Sequence, residues 1–153
     1  MAFLADALGL PCHVYGLDTF SGMPRTTKNL DMHSQGDFSD LSLEELICEI
    51  EKLNISNLTF VKGLFEHTAE QTLRKSGTIL LAHIDCDIYS AVKFAYQTVK
   101  PYMAKTGGYT VFDDPLHGSC LGAFQAVEET VIGNDGLFAE QVYLHLVYRY
   151  PPL

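Results

Sequence analysis

Three short apolar runs in this sequence stop abruptly on aspartates: "HVYGLD" closes on Asp18, "TILLAHIDCD" on Asp85 and Asp87, and "GYTVFDD" on Asp113 and Asp114. A carboxylate at the mouth of a buried strand is expensive to desolvate unless a positive group meets it. Segments with helical periodicity lie between the runs, so strand and helix alternate along the chain. That alternation predicts a Rossmann-like α/β fold, a mainly parallel sheet with helices on both faces. All strand C-termini of such a sheet lie along one edge, and ligands sit in the crevice outside it. The aspartates therefore converge, although Asp85 and Asp113 are far apart in sequence.

The elements follow from local pattern. "MAFLADALG" predicts a short helix closed by Gly9, with Pro11 preventing continuation. Residues 19 to 40, rich in Gly, Ser, Thr, Asp and Pro, read as one long loop of the kind that forms lids. "SLEELICEIEKLN" carries Leu43, Leu46, Ile47, Ile50 and Leu53 at helical spacing, with Ser42 and Glu45 as a capping box. "NLTFVKG" is a strand and "FEHTAEQTLRKSG" a helix ending at Gly77. "TILLAHID" lacks polar alternation and is expected to be covered on both faces. A helix from Ser90, the strand "GYTVFDD" and a helix over "CLGAFQAVEETVIG" follow. The tail "LFAEQVYLHLVYRY" alternates as one long strand or a tight pair.

Composition narrows the partners. At 153 residues and 47% apolar, the chain is expected to form a single domain over residues 1–153. Its net charge of −9, with ten Lys and Arg in all, argues against nucleic acid or an anionic membrane and leaves a small molecule or another protein. Cys12, Cys48, Cys86 and Cys120 show no paired spacing, which reads as reduced thiols in a cytoplasmic protein. No run approaches the length of a membrane span and no signal sequence opens the chain, so the glycosylation-like triplets at Asn54 and Asn57 are accidental.

Carboxylates gathered from neighbouring strands repel one another and raise at least one pKa unless a cation neutralises them. A hard divalent ion with oxygen ligands, Mg²⁺ above all, suits the set Asp85, Asp113 and Asp114. Helix capping is the competing explanation. It applies to Asp87 as readily as a ligand role does, but Asp113 and Asp114 cannot both cap. The Asp-x-Asp of residues 85–87 also permits a metal-dependent phosphatase or a nucleotide-sugar glycosyltransferase, neither of which explains Asp113 and Asp114.

"VYGLDTFSGMP" (14–24), "FVKGLFEHT" (60–68), "HIDCDIYSA" (83–91), "GGYTVFDD" (107–114) and "GAFQAVEE" (122–129) together resemble the macrocin O-methyltransferase (TylF-type) family over nearly the whole chain. These are class I S-adenosylmethionine-dependent enzymes, many acting on sugar hydroxyls of natural products. The resemblance implies that Asp18 meets the cofactor ribose, that Gly63 and Phe65 pass beside the adenine, and that Asp85, Asp113 and Asp114 hold the metal. It implies Mg²⁺-dependent methyl transfer to a sugar-like hydroxyl acceptor, with Asp85 or His117 taking the proton. His83 reads as a hydrogen-bonded core residue, and His33, Phe20, Met23 and Phe38 as candidates to close a lid.

The family begins with a strand and a Gly-rich turn that meets the cofactor, and "MAFLADALG" resembles only the end of the helix after that turn. The chain therefore reads as an N-terminally shortened enzyme or, alternatively, as an impaired remnant serving in oligomerisation or regulation. Weak cofactor binding is expected, along with either a new strand pairing or an open gap where that strand would lie. Such open edges favour a homo-oligomer.

Overall fold

A computed structural model describes residues 1–151. Its order is α1 (Ala2–Ala7), β1 (Val14–Asp18), α2 (Leu43–Lys52), β2 (Leu58–Lys62), α3 (Phe65–Ser76), β3 (Leu81–Ile84), α4 (Tyr89–Val99), β4 (Gly108–Phe112), α5 (Leu121–Val127), β5 (Ala139–Gln141) and β6 (Leu146–Tyr150). A 3-10 turn, Lys100–Tyr102, extends α4, and α5 runs on into a π-helical stretch, Glu128–Asn134. The alternation of strand and helix holds, and the tail resolves as an antiparallel pair. Among the described residues, no helix is long and apolar enough to cross a membrane.

The sheet comes in two pieces. β1 pairs in parallel with β2 alone, from Val14 opposite Leu58 to Asp18 opposite Lys62. The other piece has the order β3-β4-β6-β5, in which β3 and β4 are parallel and β6 runs antiparallel to both β4 and β5. No strand among the described residues lies between β1 and β3, so each keeps an unpaired edge. Of the two outcomes that the sequence left open, the structure takes the gap.

That gap corrects one expectation. β3 is not covered on both faces, since Leu80 and Leu81 are 61% and 46% exposed. An apolar strand is shielded only when both its neighbours and its covering helices are present, and β3 has a neighbour on one side only. His83, on the same strand, has a side chain about one-third exposed and is not a core residue. The apolar stripe of α2 is only partly covered: Ile47 and Leu53 are exposed, Leu43, Leu46 and Ile50 are half-buried, and no residue of that helix is buried. Its cap forms by halves: Ser42 Oγ accepts from the Glu45 amide at 3.3 Å and donates to Glu44, but no bond from the Ser42 amide to the Glu45 carboxylate is among the described hydrogen bonds.

The core belongs to the four-stranded piece. Ile84, Val92, Tyr96, Phe112, Val127, Val131, Leu146 and Tyr148 are all buried in one cluster. Phe112 stands at its centre, with ring centroids 5.8 Å from Tyr96 and 5.9 Å, nearly edge-on, from Tyr148. Such aromatic pairs contribute beyond their buried area. Asp135, just past the π-helical stretch, accepts from the Tyr96 hydroxyl at 2.5 Å and pairs with Lys100, which ties the end of α5 to the end of α4. α3 ends at Gly77, whose φ of +75° is a conformation that a side chain would strain.

Truncating the central ring should reveal where stability resides. Phe112→Ala is expected to cost about 3–5 kcal/mol in urea unfolding, whereas Leu53→Ala, at a side chain 60% exposed, should change stability by less than ~0.5 kcal/mol.

Candidate active site

The C-terminal ends of β1 and β3 open into one cleft of about 490 Å³, lined among others by Asp18, Met23, Phe38, Phe65, Asp85 and Asp87. The two strand ends thus meet across the gap: residues 67 positions apart share a wall because both strands point the same way. On the β1 side, the Phe20 amide donates to Asp18 Oδ1 at 2.6 Å. This turn holds the carboxylate and leaves its second oxygen without a partner among the described hydrogen bonds. The Gly63 amide donates to the Asp18 carbonyl at 2.8 Å, so the β2–α3 turn is level with Asp18 and delivers Leu64, Phe65 and Glu66 to the cleft wall. Gly63 itself supplies backbone and is not part of that wall.

On the β3 side, Asp85 is exposed to the cleft, and protein on its inner side removes part of its water. That desolvation, followed by repulsion from Asp113 and Asp87, raises its pKa; His83 acts in the opposite sense and Asp114 adds a smaller push. The Asp113 amide donates to the Ile84 carbonyl at 3.0 Å, so the ends of β3 and β4 are tied together beside this charge. Burial, joined by the Asp85, Asp87 and Asp18 carboxylates, holds the Cys86 thiol far above its ordinary range, which keeps it protonated.

The donors that draw closest together are not the three carboxylates. Asp113, Asp114 and His145 each bring one ligand atom within 4.8 Å of the others. His145 Nδ1 lies 2.8 Å from Asp113 Oδ1 and 3.9 Å from Asp114 Oδ1, yet it is buried and makes no aligned hydrogen bond. His83 Nε2 approaches the same Asp113 oxygen at 3.5 Å. Two carboxylates and an unshared ring nitrogen fit a divalent cation. Asp85 is coupled to this pair through its charge but stands outside the closest set.

His145 was hidden in the sequence because it lies in the alternating tail. The register exposes it: Phe112 pairs with Leu146 in the antiparallel β4–β6 ladder, so the residue after Phe112 meets the residue before Leu146.

None of the aspartates at the β3 and β4 ends caps a helix: the cap positions of α4 and α5 are Ile88 and Cys120, without side-chain cap bonds. Asp87 has a φ of +57° and accepts instead from the Cys120 thiol at 3.3 Å. Burial and two nearby carboxylates push that thiol up to about 11. The cap of α4 comes from the long loop. Asp31 accepts from the Tyr89 amide at 2.8 Å through Oδ1 and from the Thr27 amide at 2.7 Å through Oδ2. A Cβ on Gly122 would stand 2.2 Å from Asp31 Oδ1, so only glycine lets α5 come this close.

The loop itself forms part of the cleft wall. Met23 and Phe38 line the cleft as expected of lid residues, whereas Phe20 packs edge-on against Phe60 at 5.9 Å. His117 is not in this cleft. It hydrogen-bonds Ser119 through Nδ1 at 2.7 Å and borders a second, smaller cavity with His33, Phe38, Asp87, Asp114 and Cys120.

Residues 1–132 match the family described as Macrocin-O-methyltransferase (TylF). The chain belongs to the macrocin O-methyltransferase family. Two solved structures share its architecture: the O-methyltransferase NovP, with a TM-score of 0.82 at 19% identity, and CalS11, a calicheamicin methyltransferase, with 0.80 at 20%. The first match covers 97% of this chain and 64% of NovP, and the second 99% of this chain and 66% of CalS11. The chain thus spans just under two-thirds of the length of either structure. No curated protein sequence matches it.

Within this member of the macrocin O-methyltransferase family, Asp85 offers a stability test. A carboxylate whose folded pKa is raised binds its proton more tightly in the native state, so the stability it brings is present at low pH and is lost as pH rises through the folded pKa. Asp85→Asn should therefore melt higher than the parent at pH 7 in chelator-containing buffer, and the difference should shrink as the pH approaches 4. Asp31→Ala, which leaves the first turn of α4 uncapped, should cost about 1 kcal/mol by urea unfolding.

Proposed function

We propose that this chain forms the core of an O-methyltransferase that moves a methyl group from S-adenosylmethionine to a hydroxyl of a sugar or similar natural-product acceptor, assisted by Mg²⁺. The observation that carries this reading is one cleft with Asp18 at one end and Asp85 at the other, beside the Asp113, Asp114 and His145 cluster. Family membership supports methyl transfer, and it supports S-adenosylmethionine as the donor.

Each residue has a task in this reading. Asp18, with its free oxygen, accepts hydrogen bonds from the ribose hydroxyls, and Phe65 packs beside the adenine. S-adenosylmethionine held there would supply an electrophilic methyl group for an acceptor oxygen. The hydroxyl proton goes to a base in the cleft. Asp85 suits this role better than His117, because it faces the cleft and its environment favours the protonated product state. Asp113, Asp114 and His145 would hold the cation, which when bound lowers the pKa of an acceptor hydroxyl. The walls from the long loop, Met23 and Phe38, orient the reactants and exclude water.

Titration calorimetry with S-adenosylhomocysteine tests the cofactor assignment. Weak binding is expected, reduced on the order of tenfold by Asp18→Ala, the loss of a charged hydrogen-bond acceptor. In the joint presence of Mg²⁺, Asp113→Asn with Asp114→Asn should remove any metal-dependent heat. No heat from the parent chain at millimolar ligand would end the cofactor assignment for it.

A second reading, a domain retained for self-association, draws on the unpaired edges of β1 and β3 and the exposed Leu80 and Leu81. It leads us to expect concentration-dependent association in sedimentation velocity that Leu81→Lys suppresses. A monomer at all concentrations would remove it.

A further inference from the structure

The second cavity has a chemistry of its own. Its volume is about 210 Å³, and it is lined by His33, Phe38, Asp87, Asp114, His117, Ser119 and Cys120. Three of these side chains come from three separate segments: His33 from the long loop, Asp87 from the β3–α4 turn and Cys120 from the residue before α5. A ring nitrogen, a carboxylate oxygen and the thiol sulfur lie within 4.8 Å of one another. Cys120 Sγ and Asp87 Oδ1 are 3.3 Å apart. Donors around a tetrahedral zinc ion stand about 3.3–3.8 Å from each other, as bond lengths of ~2.0–2.3 Å require. The set is therefore within a small side-chain adjustment of closing on one ion.

The histidine is oriented for that role. His33 Nε2 is buried with no hydrogen-bond partner, an arrangement that a native structure rarely leaves unexplained. On the other side of the ring, Nδ1 faces the Asp37 carboxylate at 3.8 Å. A carboxylate behind a histidine is the usual outer support of a metal-bound imidazole. Phe38 packs at a tilt against the same ring, with centroids 5.4 Å apart. Cys120 lines this cavity and is only 3% exposed, so its sulfur faces an ion there while being protected from bulk oxidants.

We propose that His33, Asp87 and Cys120 form a binding site for a borderline transition-metal ion, Zn²⁺ by preference, that pins the long loop to the β3–α4 turn and the start of α5. A mixed nitrogen, oxygen and sulfur set selects such an ion over Mg²⁺ or Ca²⁺, which take oxygen ligands. The site is thus distinct in chemistry from the Asp113, Asp114 and His145 cluster. Binding forms a sulfur–metal bond as the thiol proton passes to solvent. A fourth position remains for water or for His117, which borders the same cavity. The proposal stands apart from methyl transfer, since it concerns what holds the loop.

Co²⁺ serves as the probe, because a thiolate ligand gives it a sulfur-to-metal charge-transfer band and tetrahedral coordination gives intense visible bands. Titration of the full chain should show both at one equivalent, with Zn²⁺ displacing the signal. Cys120→Ser should abolish the charge-transfer band, while Cys86→Ser, Cys12→Ser and Asp113→Asn should keep it. Asp37→Ala should weaken affinity by about tenfold. In parallel, trypsin cutting at Arg25 and Lys28, both exposed in the long loop, should slow with Zn²⁺ in the parent. That protection should be lost in His33→Ala, whose circular dichroism reports whether it still folds. A parent chain without a thiolate band, a band that survives Cys120→Ser, or equal Zn²⁺ protection in His33→Ala would overturn the proposal.

Discussion

The placement of β4 between β3 and β6 is the constraint on which the site depends. Its parallel partner puts Asp113 beside the Ile84 carbonyl, one residue from Asp85. Its antiparallel partner brings His145 across from Asp113. A slip of one residue in either ladder would turn these side chains to the opposite face, because side chains alternate along a strand. The register is held from below by the buried Phe112, Tyr148 and Leu146, whose packing leaves little freedom to shift. Core packing and the charge arrangement at the rim are thus two consequences of one alignment.

The long loop depends on a single carboxylate. Asp31 supplies what α4 lacks from its own sequence, an acceptor for the first amide, and it does so from 58 residues upstream. Because Gly122 has no side chain, α5 can approach the same oxygen. Loop, α4 and α5 therefore meet at one point, and the cleft wall carrying Met23 and Phe38 is anchored to the helices that enclose the core. His33, two residues beyond Asp31, reaches the second cavity through the same anchorage.

The gap between β1 and β3 has the opposite character. Parallel strands gain their stability from neighbours on both sides and from helices over both faces, and here one side is open. The exposure of Leu80 and Leu81 follows from it as unburied apolar surface. The cleft nevertheless survives, because Asp18 and Asp85 are held by β2 and β4 on their far sides, not by each other.

Much was legible along the chain itself. Apolar runs closed by aspartates gave strands and their direction, and direction alone brought Asp18 and Asp85 to one edge. The series of motifs likewise pointed to the family that residues 1–132 match. Helix ends at Gly9 and Gly77 and the cap at Ser42 were local, depending on residues no more than four apart, so they could be read without knowing the fold. What only the tertiary structure decided were relations across long stretches of chain: Asp31 as the cap of α4, Gly122 as the point of closest approach, His145 rather than Asp85 as the nearest companion of Asp113 and Asp114, and the exposure of His83 and Leu81. Periodicity reports which face of an element is apolar, but not whether a neighbour arrives to cover that face, and a carboxylate's identity does not reveal which distant amide, thiol or imidazole will stand opposite it. Those outcomes are set by strand register and by the presence or absence of an adjoining strand, which are properties of the assembled chain.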